Sequence, residues 1–259
     1  MSNALLKVKD LTIAVRDEEK SKKILDAVSF DVEQNSILGI VGGSGSGKTT
    51  TGLAILRLLS SSLVVEKGSV IFNNRELLNA PLHDIQKIRG KEIAMVFQEP
   101  LVAFNPVFTI GYQIEEGLVG HFSLSGTERH KRILELLSQV GIKDPERVGA
   151  SYPHQLSGGL RQRAMIAHAL AGEPKLLIAD EPTSNLDVTI QAKIIQLFRD
   201  IRQKKNLTIM LITHDLGLVE HAADKVIVMQ KGRVVEQGNV ADVLGHPKDQ
   251  YTKDLLQAI

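Results

Sequence analysis

Residues 42–49 read GGSGSGKT, and this octet matches the pattern G-x-x-x-x-G-K-[S/T] at every fixed position. An apolar run, ILGIV at 37–41, comes directly before it, and a segment compatible with a helix follows at 50–59. A phosphate-binding loop requires this order of buried strand, glycine-rich loop and helix, which a flexible Gly/Ser linker does not provide. The octet therefore predicts a phosphate-binding loop in an α/β fold.

Each residue type in the octet has a physical role in binding phosphate. Glycines let the backbone curl so that successive N–H groups point into one concavity. The helix that follows adds the positive end of its dipole at the same point. Lys48 can reach the β- and γ-phosphates, and the hydroxyl of Thr49 can ligate Mg²⁺. We therefore expect the chain to bind a nucleoside triphosphate together with Mg²⁺.

Composition narrows the classes of protein to be considered. A length of 259 residues suits one α/β domain, or one domain with an inserted subdomain. The 31 basic and 30 acidic residues give a net charge of +1, which argues against a general nucleic-acid binder. Cysteine is absent, so disulfides and cysteine-based metal sites are excluded. No window approaches the roughly 18 consecutive apolar residues of a membrane span, so any membrane role must come through a partner.

The periodicity of apolar residues predicts three kinds of segment. Residues 6–9, 11–15 and 28–32 alternate with the strand period and indicate half-exposed antiparallel strands. The short apolar runs at 37–41, 175–180 and 208–213 are typical of a parallel sheet covered by helices on both faces. Helical patterns replace strand patterns after Gln98. We predict a single domain, with a catalytic core at 1–97 and 166–259 and an inserted helical subdomain at 98–165.

Two adjacent carboxylates, Asp180 and Glu181, end the apolar run LLIA at 176–179. In a P-loop ATPase the first acid of such a pair helps to hold Mg²⁺. Alternation along a strand directs the two side chains differently, so Asp180 and Glu181 can have different roles, and Glu181 could polarise an attacking water as a general base. The alternative is a strand that simply ends in acidic residues at the surface. The phosphate loop in the same chain favours the functional interpretation.

The sequence LSGG at 156–159 precedes a basic stretch, LRQR, and by itself is more often an ordinary entry into a helix. Other motifs change that interpretation: Gln98 after a strand, SNLD at 184–187 and THD at 213–215. With the phosphate loop and the carboxylate pair, these motifs make the chain resemble the ATP-binding subunit of an ABC transporter. They occur in the order of that family and cover nearly the whole chain.

The resemblance implies a role for each matched residue. Glu181 would activate water, and His214 would sense or hold the γ-phosphate, although a lone histidine at a strand end is more often a surface or capping residue. The Mg²⁺ ligands would be Thr49 and Gln98, supported by Asp180. The predicted ATP contacts are Gly42, Gly43, Ser44, Gly45, Ser46, Gly47, Lys48, Thr49, Thr50 and Gln98.

The resemblance also implies a dimer, because members of this family associate head to tail. Ser157, Gly158 and Gly159 of one subunit would complete the ATP site of the other, and Asp187 would lie at the seam. Neither subunit alone surrounds the γ-phosphate, so ATP would hold the two subunits together and hydrolysis would release them. The second ATP-binding subunit is either an identical chain or a different one.

Two further stretches resemble the dipeptide, oligopeptide and nickel importer branch. They are QEPLVAFNP at 98–106 and a C-terminal segment with HP at 246–247 and YT at 251–252. This branch implies integral membrane permease subunits as partners, an extracytoplasmic solute-binding protein acting indirectly, no nucleic acid, and a peripheral location at the cytoplasmic face of the membrane. Phe104 is a candidate contact for the permease, with a buried aromatic side chain as the equal alternative.

Two alternatives stay open from sequence alone. The family usually stacks adenine on an aromatic side chain near the N-terminus, but none precedes Phe30, and Val15 and Arg16 lie near the expected place. Selectivity for ATP over GTP therefore stays open. The chain could also be a soluble ATP-switched interaction module outside transport. A regulator that has lost hydrolysis is disfavoured by the presence of Glu181 and His214.

Overall fold

The computed structural model describes residues 4–16, 22–184 and 186–257. Along them the strands are β1 (Ala4–Val15), β2 (Lys23–Glu33), β3 (Ile37–Val41), β4 (Leu63–Phe72), β5 (Arg75–Glu76), β6 (Ile93–Val96), β7 (Leu176–Asp180), β8 (Thr208–Ile212), β9 (Lys225–Gln230) and β10 (Arg233–Asn239). The helices are α1 (Lys48–Ile55), α2 (Leu82–Ile88), α3 (Pro100–Ala103), α4 (Ile110–Val119), α5 (Gly126–Gln139), α6 (Pro145–Ala150), α7 (Gly158–Ala169), α8 (Val188–Lys205), α9 (Leu216–Ala222), α10 (Val240–Gly245) and α11 (Gln250–Gln257).

The chain forms two compact units. The first unit comprises Met1–Gln86 with Arg202–Ile259, and the second comprises Lys87–Ile201. The predicted helical subdomain, 98–165, falls within the second unit, and its exact limits stay a prediction.

The first unit contains an antiparallel sheet in the order β2-β1-β4-β5. The alternating segments at 6–9 and 11–15 belong to one strand, β1, rather than to two. The register of β1 against β2 shifts between Val8 and Leu11, and Asp10 there has a φ of 49°. A bulge of this kind absorbs an extra residue and bends the strand without ending it.

The first unit also contains the strand that leads to the phosphate loop. β3 is buried throughout and pairs in parallel with β8 on one side and β9 on the other. β10 continues the order as an antiparallel partner of β9. Parallel strands buried on both faces are nearly all apolar, which is the reason that these runs lack the polar alternation of β1.

The second unit contains the parallel pair β6 and β7. Between these strands the described chain is helical from α3 to α7, as the loss of strand periodicity predicted. Helix α5 begins with a complete capping box, in which Ser125 and Glu128 bond each other's backbone amides. Such a cap satisfies two N–H groups that the first turn of a helix leaves without partners.

The predicted fold class is confirmed: a parallel-strand core, an N-terminal antiparallel strip and a helical segment occur in the predicted order. One boundary differs, because α1 ends at Ile55 instead of continuing to 59. Arg57 has a left-handed φ of 52°, a conformation that a continuing α-helix does not permit. No helix in the described ranges is long and apolar enough to cross a membrane.

Candidate functional site

The phosphate loop and His214 lie at the same edge of the parallel strands in the first unit. β3 ends at Val41, directly before the loop, and β8 ends at Ile212, two residues before His214. The two strands are parallel, with Ile40 opposite Ile212, and the amide of Thr213 donates to the carbonyl of Ile40 at 3.1 Å. Because parallel neighbours present their carboxyl ends together, the loop and the histidine are brought to one edge.

Two glycines in the loop have conformations that a side chain would not tolerate. Gly42 has a φ of 152°, and a Cβ built on it would lie 2.1 Å from the carbonyl oxygen of Met229. Gly47 has a φ of 99°, and a Cβ at this position would lie 2.4 Å from the side chain of Leu25. The loop can therefore curl tightly against β9 and β2 only because glycine occupies these two positions.

Lys48 closes the loop on itself. Its side chain is 8% exposed, and its ammonium group donates to the carbonyls of Gly42 at 2.8 Å and Gly43 at 3.1 Å. The charge is thus held at the mouth of the curled backbone, where an anion would be bound. Because negative charge nearby offsets the cost of burying an ammonium group, this arrangement fits a phosphate ligand.

Ser46 provides an independent test of whether the loop fits a nucleotide. Its hydroxyl is buried, with the residue only 4% exposed, and has no hydrogen-bond partner among the described residues. Buried polar groups in proteins nearly always have a partner. An orphaned hydroxyl inside the phosphate loop is therefore consistent with a ligand that brings acceptor oxygens. Ser44, Gly45 and Thr49 are exposed, and Thr50 is half-buried, so these residues are accessible at the same loop.

His214 lies in the short connection between β8 and α9 and is exposed. The residues on either side of it fix this connection. Asp215 accepts a hydrogen bond from the amide of Leu218 at 3.1 Å, which caps α9, and its own amide donates to the hydroxyl of Thr213 at 3.1 Å. A capped helix start holds the preceding residue in one place, which suits a side chain that must meet a ligand at this edge.

In the second unit, Gln98 and the carboxylate pair come together by the same rule of parallel strands. β6 pairs in parallel with β7, with Val96 opposite Ala179. Because Gln98 follows the end of β6 by two residues and Asp180 is the last residue of β7, both lie at the same edge. Asp180 is buried and Gln98 is exposed. The side-chain amide oxygen of Gln98 and the carboxylate of Asp180 are oxygen donors of the kind that Mg²⁺ prefers.

Glu181 has an unusual backbone conformation. Its φ is 46°, in the left-handed region that glutamate rarely adopts, and the residue is only 8% exposed. Its carbonyl accepts hydrogen bonds from the amide of Ser184 at 3.1 Å and from the hydroxyl of Ser184 at 2.9 Å. Strained conformations of this kind persist where the surrounding structure fixes them, and they are concentrated at functional sites.

The residues predicted to contact the ATP of an opposing subunit line one groove. Ser157 caps α7, accepting a hydrogen bond from the amide of Leu160 at 3.4 Å. The groove has a volume of about 610 Å³ and lies wholly within the second unit. Its lining includes Ser157, Gly158, Gly159 and Asp187, the full predicted set. Asp187 also accepts from the amide of Ile190 at 3.0 Å, so it caps the start of α8. Asn185, within the same predicted motif, lies outside the described residues.

Sequence reasoning missed three cationic side chains in the same groove. Lys143, Arg147 and Arg163 line it together with residues 157–159. Arg163 donates to the carbonyl of Val140, and burial lowers the pKa of its guanidinium. Lys143 precedes Ser157 by 14 residues, and only the packing of the helices in this unit could have revealed the proximity.

The outcome for Phe104 favours the buried alternative. Its side chain is 4% exposed and packs edge-on against the ring of His168, with 6.0 Å between the centroids. Large exposed apolar side chains surround it in sequence instead. We call these the apolar surface, which comprises Leu101, Val102, Val107, Phe108 and Tyr112.

A curled glycine loop closed by a buried lysine, a strand that ends in two carboxylates, and a helix capped at a Ser-Gly-Gly turn define a P-loop ATPase. The family model described as ABC transporter matches residues 25–184. The chain belongs to the ABC transporter family. It is an ATP-binding subunit of an ABC transporter and an ATPase by family, as the motifs predicted.

Known relatives agree with this assignment. The chain is 46% identical over 255 residues to the peptidoglycan transport ATP-binding protein YejF of Agrobacterium fabrum, covering 98% of this chain and 47% of that one. It is 46% identical over 256 residues to the dipeptide transport ATP-binding protein DppD of Haemophilus influenzae, covering 99% and 78%. The chain thus spans about half the length of the first relative and over three quarters of the second.

A solved structure extends the likeness to three dimensions. The ATP-binding cassette MJ0796, in a dimeric post-hydrolysis state bound to ADP and Pi, matches with a TM-score of 0.81 and 30% identity. The match covers 91% of this chain and 98% of the cassette. A nucleotide-bound dimer therefore exists for a cassette with this fold.

Proposed function

We propose that this chain hydrolyses ATP to drive the uptake of peptides through separate membrane subunits. The names of the relatives support peptides as the cargo class, because they describe transport of dipeptides and of peptidoglycan. Nickel and other metal complexes, which the sequence also suggested, stay a prediction.

The single structural observation that carries the coupling to a membrane partner is the apolar surface. Val102 is 79% exposed, and Phe108 stacks on Tyr112 with 4.7 Å between the ring centroids. Large apolar side chains exposed close together in sequence are candidates for an interaction site. The surface begins three residues after Gln98, so a permease that binds it would be connected by α3 to a residue of the ATP site.

The chemistry divides between residues that hold ATP and residues that act on water. Lys48 and the loop amides bind the β- and γ-phosphates, and His214 contacts the γ-phosphate. Glu181 accepts a proton from the attacking water as a general base. Mg²⁺, when bound by Thr49 and Gln98 with support from Asp180, would neutralise charge on the phosphate oxygens.

The groove in the second unit supports the proposal of a dimer. We expect Ser157, Gly158, Gly159 and Asp187 to contact the ATP of a second cassette, because backbone amides at the N-terminus of α7 suit an anion. The second cassette is either an identical chain or a different one. A permease as partner would place the complex at the cytoplasmic face of the membrane, with the solute-binding protein acting on the other side.

Membrane co-purification tests this function against the soluble alternative. The tagged chain is expressed in its native host, membranes are solubilised, and captured proteins are identified. We expect integral permease subunits in the captured fraction, and stimulation of ATP hydrolysis when the reconstituted complex receives peptide-loaded solute-binding protein. Recovery of the chain without any integral membrane protein would support an ATP-switched interaction module instead.

A further inference from the structure

The C-terminal helix α11 is joined to the phosphate loop by a hydrogen bond. The hydroxyl oxygen of Tyr251 accepts from the backbone amide of Gly43 at 2.7 Å. Both residues belong to the first unit, although 208 residues separate them in sequence. A Cβ added to Gly43 would lie 3.0 Å from this hydroxyl oxygen, so the approach is close.

Gly43 is a junction within the loop. While Tyr251 holds its amide, its carbonyl accepts from the ammonium of Lys48 at 3.1 Å and from the amide of Ser46 at 3.2 Å. All the hydrogen-bonding groups of this residue are therefore engaged. Because a peptide plane is rigid, fixing the Gly43 amide also fixes the Gly42 carbonyl in the same plane, which accepts from the ammonium of Lys48 at 2.8 Å. The Tyr251 contact therefore restrains a carbonyl group that holds the ammonium of Lys48.

Tyr251 is itself held in position from two sides. The carboxylate of Glu236 accepts from the amides of Lys248 at 2.9 Å and Asp249 at 3.1 Å, and Asp249 accepts from the amide of Tyr251 at 2.8 Å. These bonds fix the start of α11 to β10. The helix has little freedom to withdraw the hydroxyl from the loop.

Apolar packing fixes the same helix from beneath. Tyr251, Leu255 and Leu256 pack against a buried cluster that includes Val41 and Leu216. Val41 is the last residue before the phosphate loop, and Leu216 follows His214 by two positions. One helix therefore supports both the strand that leads into the loop and the helix that follows the histidine.

We propose that Tyr251 is a positioning residue for the phosphate loop, and that its hydroxyl presets the Gly43 peptide in the conformation that receives the nucleotide. This inference rests on the proposed ATP function of the loop. A loop with glycines at 42, 43, 45 and 47 loses much conformational entropy when it is ordered. A contact that orders it before binding reduces that loss at the moment ATP arrives, which raises affinity. The residue acts through Gly43 and does not touch the phosphates.

Removing only the hydroxyl gives the first test. Tyr251→Phe keeps the ring in its apolar cluster but leaves the Gly43 amide without its acceptor. Because the bond contributes to binding only through loop order, we expect the dissociation constant and KM for ATP to rise about fivefold, the effect of one ordinary hydrogen bond. The kcat should stay within about twofold, because the hydroxyl contacts no reacting atom. Tyr152→Phe, a tyrosine outside this network, is the matched control and should leave both constants unchanged.

A double-mutant cycle separates positioning from general stability. Gly43→Ala places a methyl group against the hydroxyl oxygen, so alone it should weaken ATP binding more than Tyr251→Phe does. In the Tyr251→Phe background that oxygen is absent, and the same substitution should have a smaller effect, giving a non-additive cycle. Thermal melting of all variants without nucleotide controls for unfolding.

The outcomes distinguish this inference from the function on which it rests. A wild-type chain that binds no ATP would overturn both. A wild-type chain that binds ATP, together with an unchanged KM in Tyr251→Phe or an additive cycle, would overturn the positioning role alone. The affinity for ATP could also fall only in proportion to the melting temperature across the variants. Tyr251 would then act through the stability of the fold alone, which would overturn the proposal as well.

Discussion

The ammonium group of Lys48 lies 2.8 Å from the carbonyl oxygen of Gly42, the first residue of the same phosphate loop. This bond holds a buried positive charge at the mouth of a backbone concavity. Gly42 can lie this close to β9 because it has no side chain. With its φ of 152°, a Cβ would collide with the carbonyl oxygen of Met229. The relationship explains why the loop is both curled and charged, and the first prediction follows from it.

Replacing Lys48 by Met should abolish ATP binding at ordinary concentrations. The substitution keeps most of the length of the side chain but removes the charge that we propose binds the phosphates. Hydrogen bonds to charged groups contribute about 1.5–3 kcal/mol each, so the loss of two such contacts predicts at least a roughly 100-fold weaker affinity. Titration with a fluorescent ATP analogue measures it. Lys131→Met, on an exposed face of α5, serves as the control and should bind as the wild type does.

Glu181→Gln should separate binding from hydrolysis. The amide keeps the shape of the side chain but cannot accept a proton from water, and general-base contributions are typically about 10²–10⁴-fold in rate. We expect steady-state hydrolysis to fall by that factor, with ATP affinity kept and an ATP-bound dimer accumulating. Phosphate release and size-exclusion chromatography with light scattering measure the two effects. Glu220→Gln, at an exposed position of α9, is the matched control. Hydrolysis as fast in the Glu181 variant as in this control would rule out the general-base role.

Ser157→Arg should prevent the dimer without affecting the nucleotide site of the isolated chain. The long side chain would occupy the groove of about 610 Å³ at the start of α7. In the Glu181→Gln background, where the ATP-bound dimer persists, we expect the added Arg to leave a monomer that still binds ATP. Ser138→Arg, exposed on α5, is the control. A dimer that survives in the Ser157 variant would show that the groove does not receive the partner's nucleotide.

Charges introduced on the apolar surface should uncouple the chain from its membrane partner. Val102→Glu and Phe108→Glu place carboxylates where an apolar contact is proposed. Because both side chains are exposed, the fold and the basal ATP hydrolysis of the isolated chain should be unaffected. Co-purification with the permease should fall at least tenfold. Leu82→Glu, at an exposed apolar side chain of the first unit, should co-purify normally, and equal loss in this control would indicate a general effect of charge.

Acidification should loosen the attachment of α11. Burial alone would raise the pKa of Glu236, but the amides of Lys248 and Asp249, with the Lys248 charge, bring that pKa below its usual value. A carboxyl group with a lowered folded-state pKa contributes stability above its unfolded value, near 4.5, and loses it as the pH falls through the folded value. Melting temperature measured from pH 7 to pH 3 should therefore fall less steeply in Glu236→Gln than in the wild type. Parallel curves would contradict the role of this carboxylate.

The order of elements was predictable because local patterns determine it. The apolar run of β3, the octet at 42–49 and the helical pattern after Gln98 each depend on residues close in sequence. The ends of helices and strands were harder to predict from the sequence. The end of α1 depends on the left-handed conformation of Arg57, and the single strand β1 depends on a bulge at Asp10, neither of which has a composition signal.

By itself the sequence determined the octet at 42–49, the carboxylate pair and the Ser-Gly-Gly turn, because each is a short motif whose chemistry requires particular residues at fixed spacing. Together these motifs indicated the family, which the family model confirms. Tertiary structure alone decided which distant residues meet. Tyr251 reaches Gly43 across 208 residues, Lys143 joins the groove of Ser157, and Phe104 is buried while Val102 is exposed. The physical reason is that burial and long-range hydrogen bonds depend on how elements pack, and packing is not encoded in any single segment.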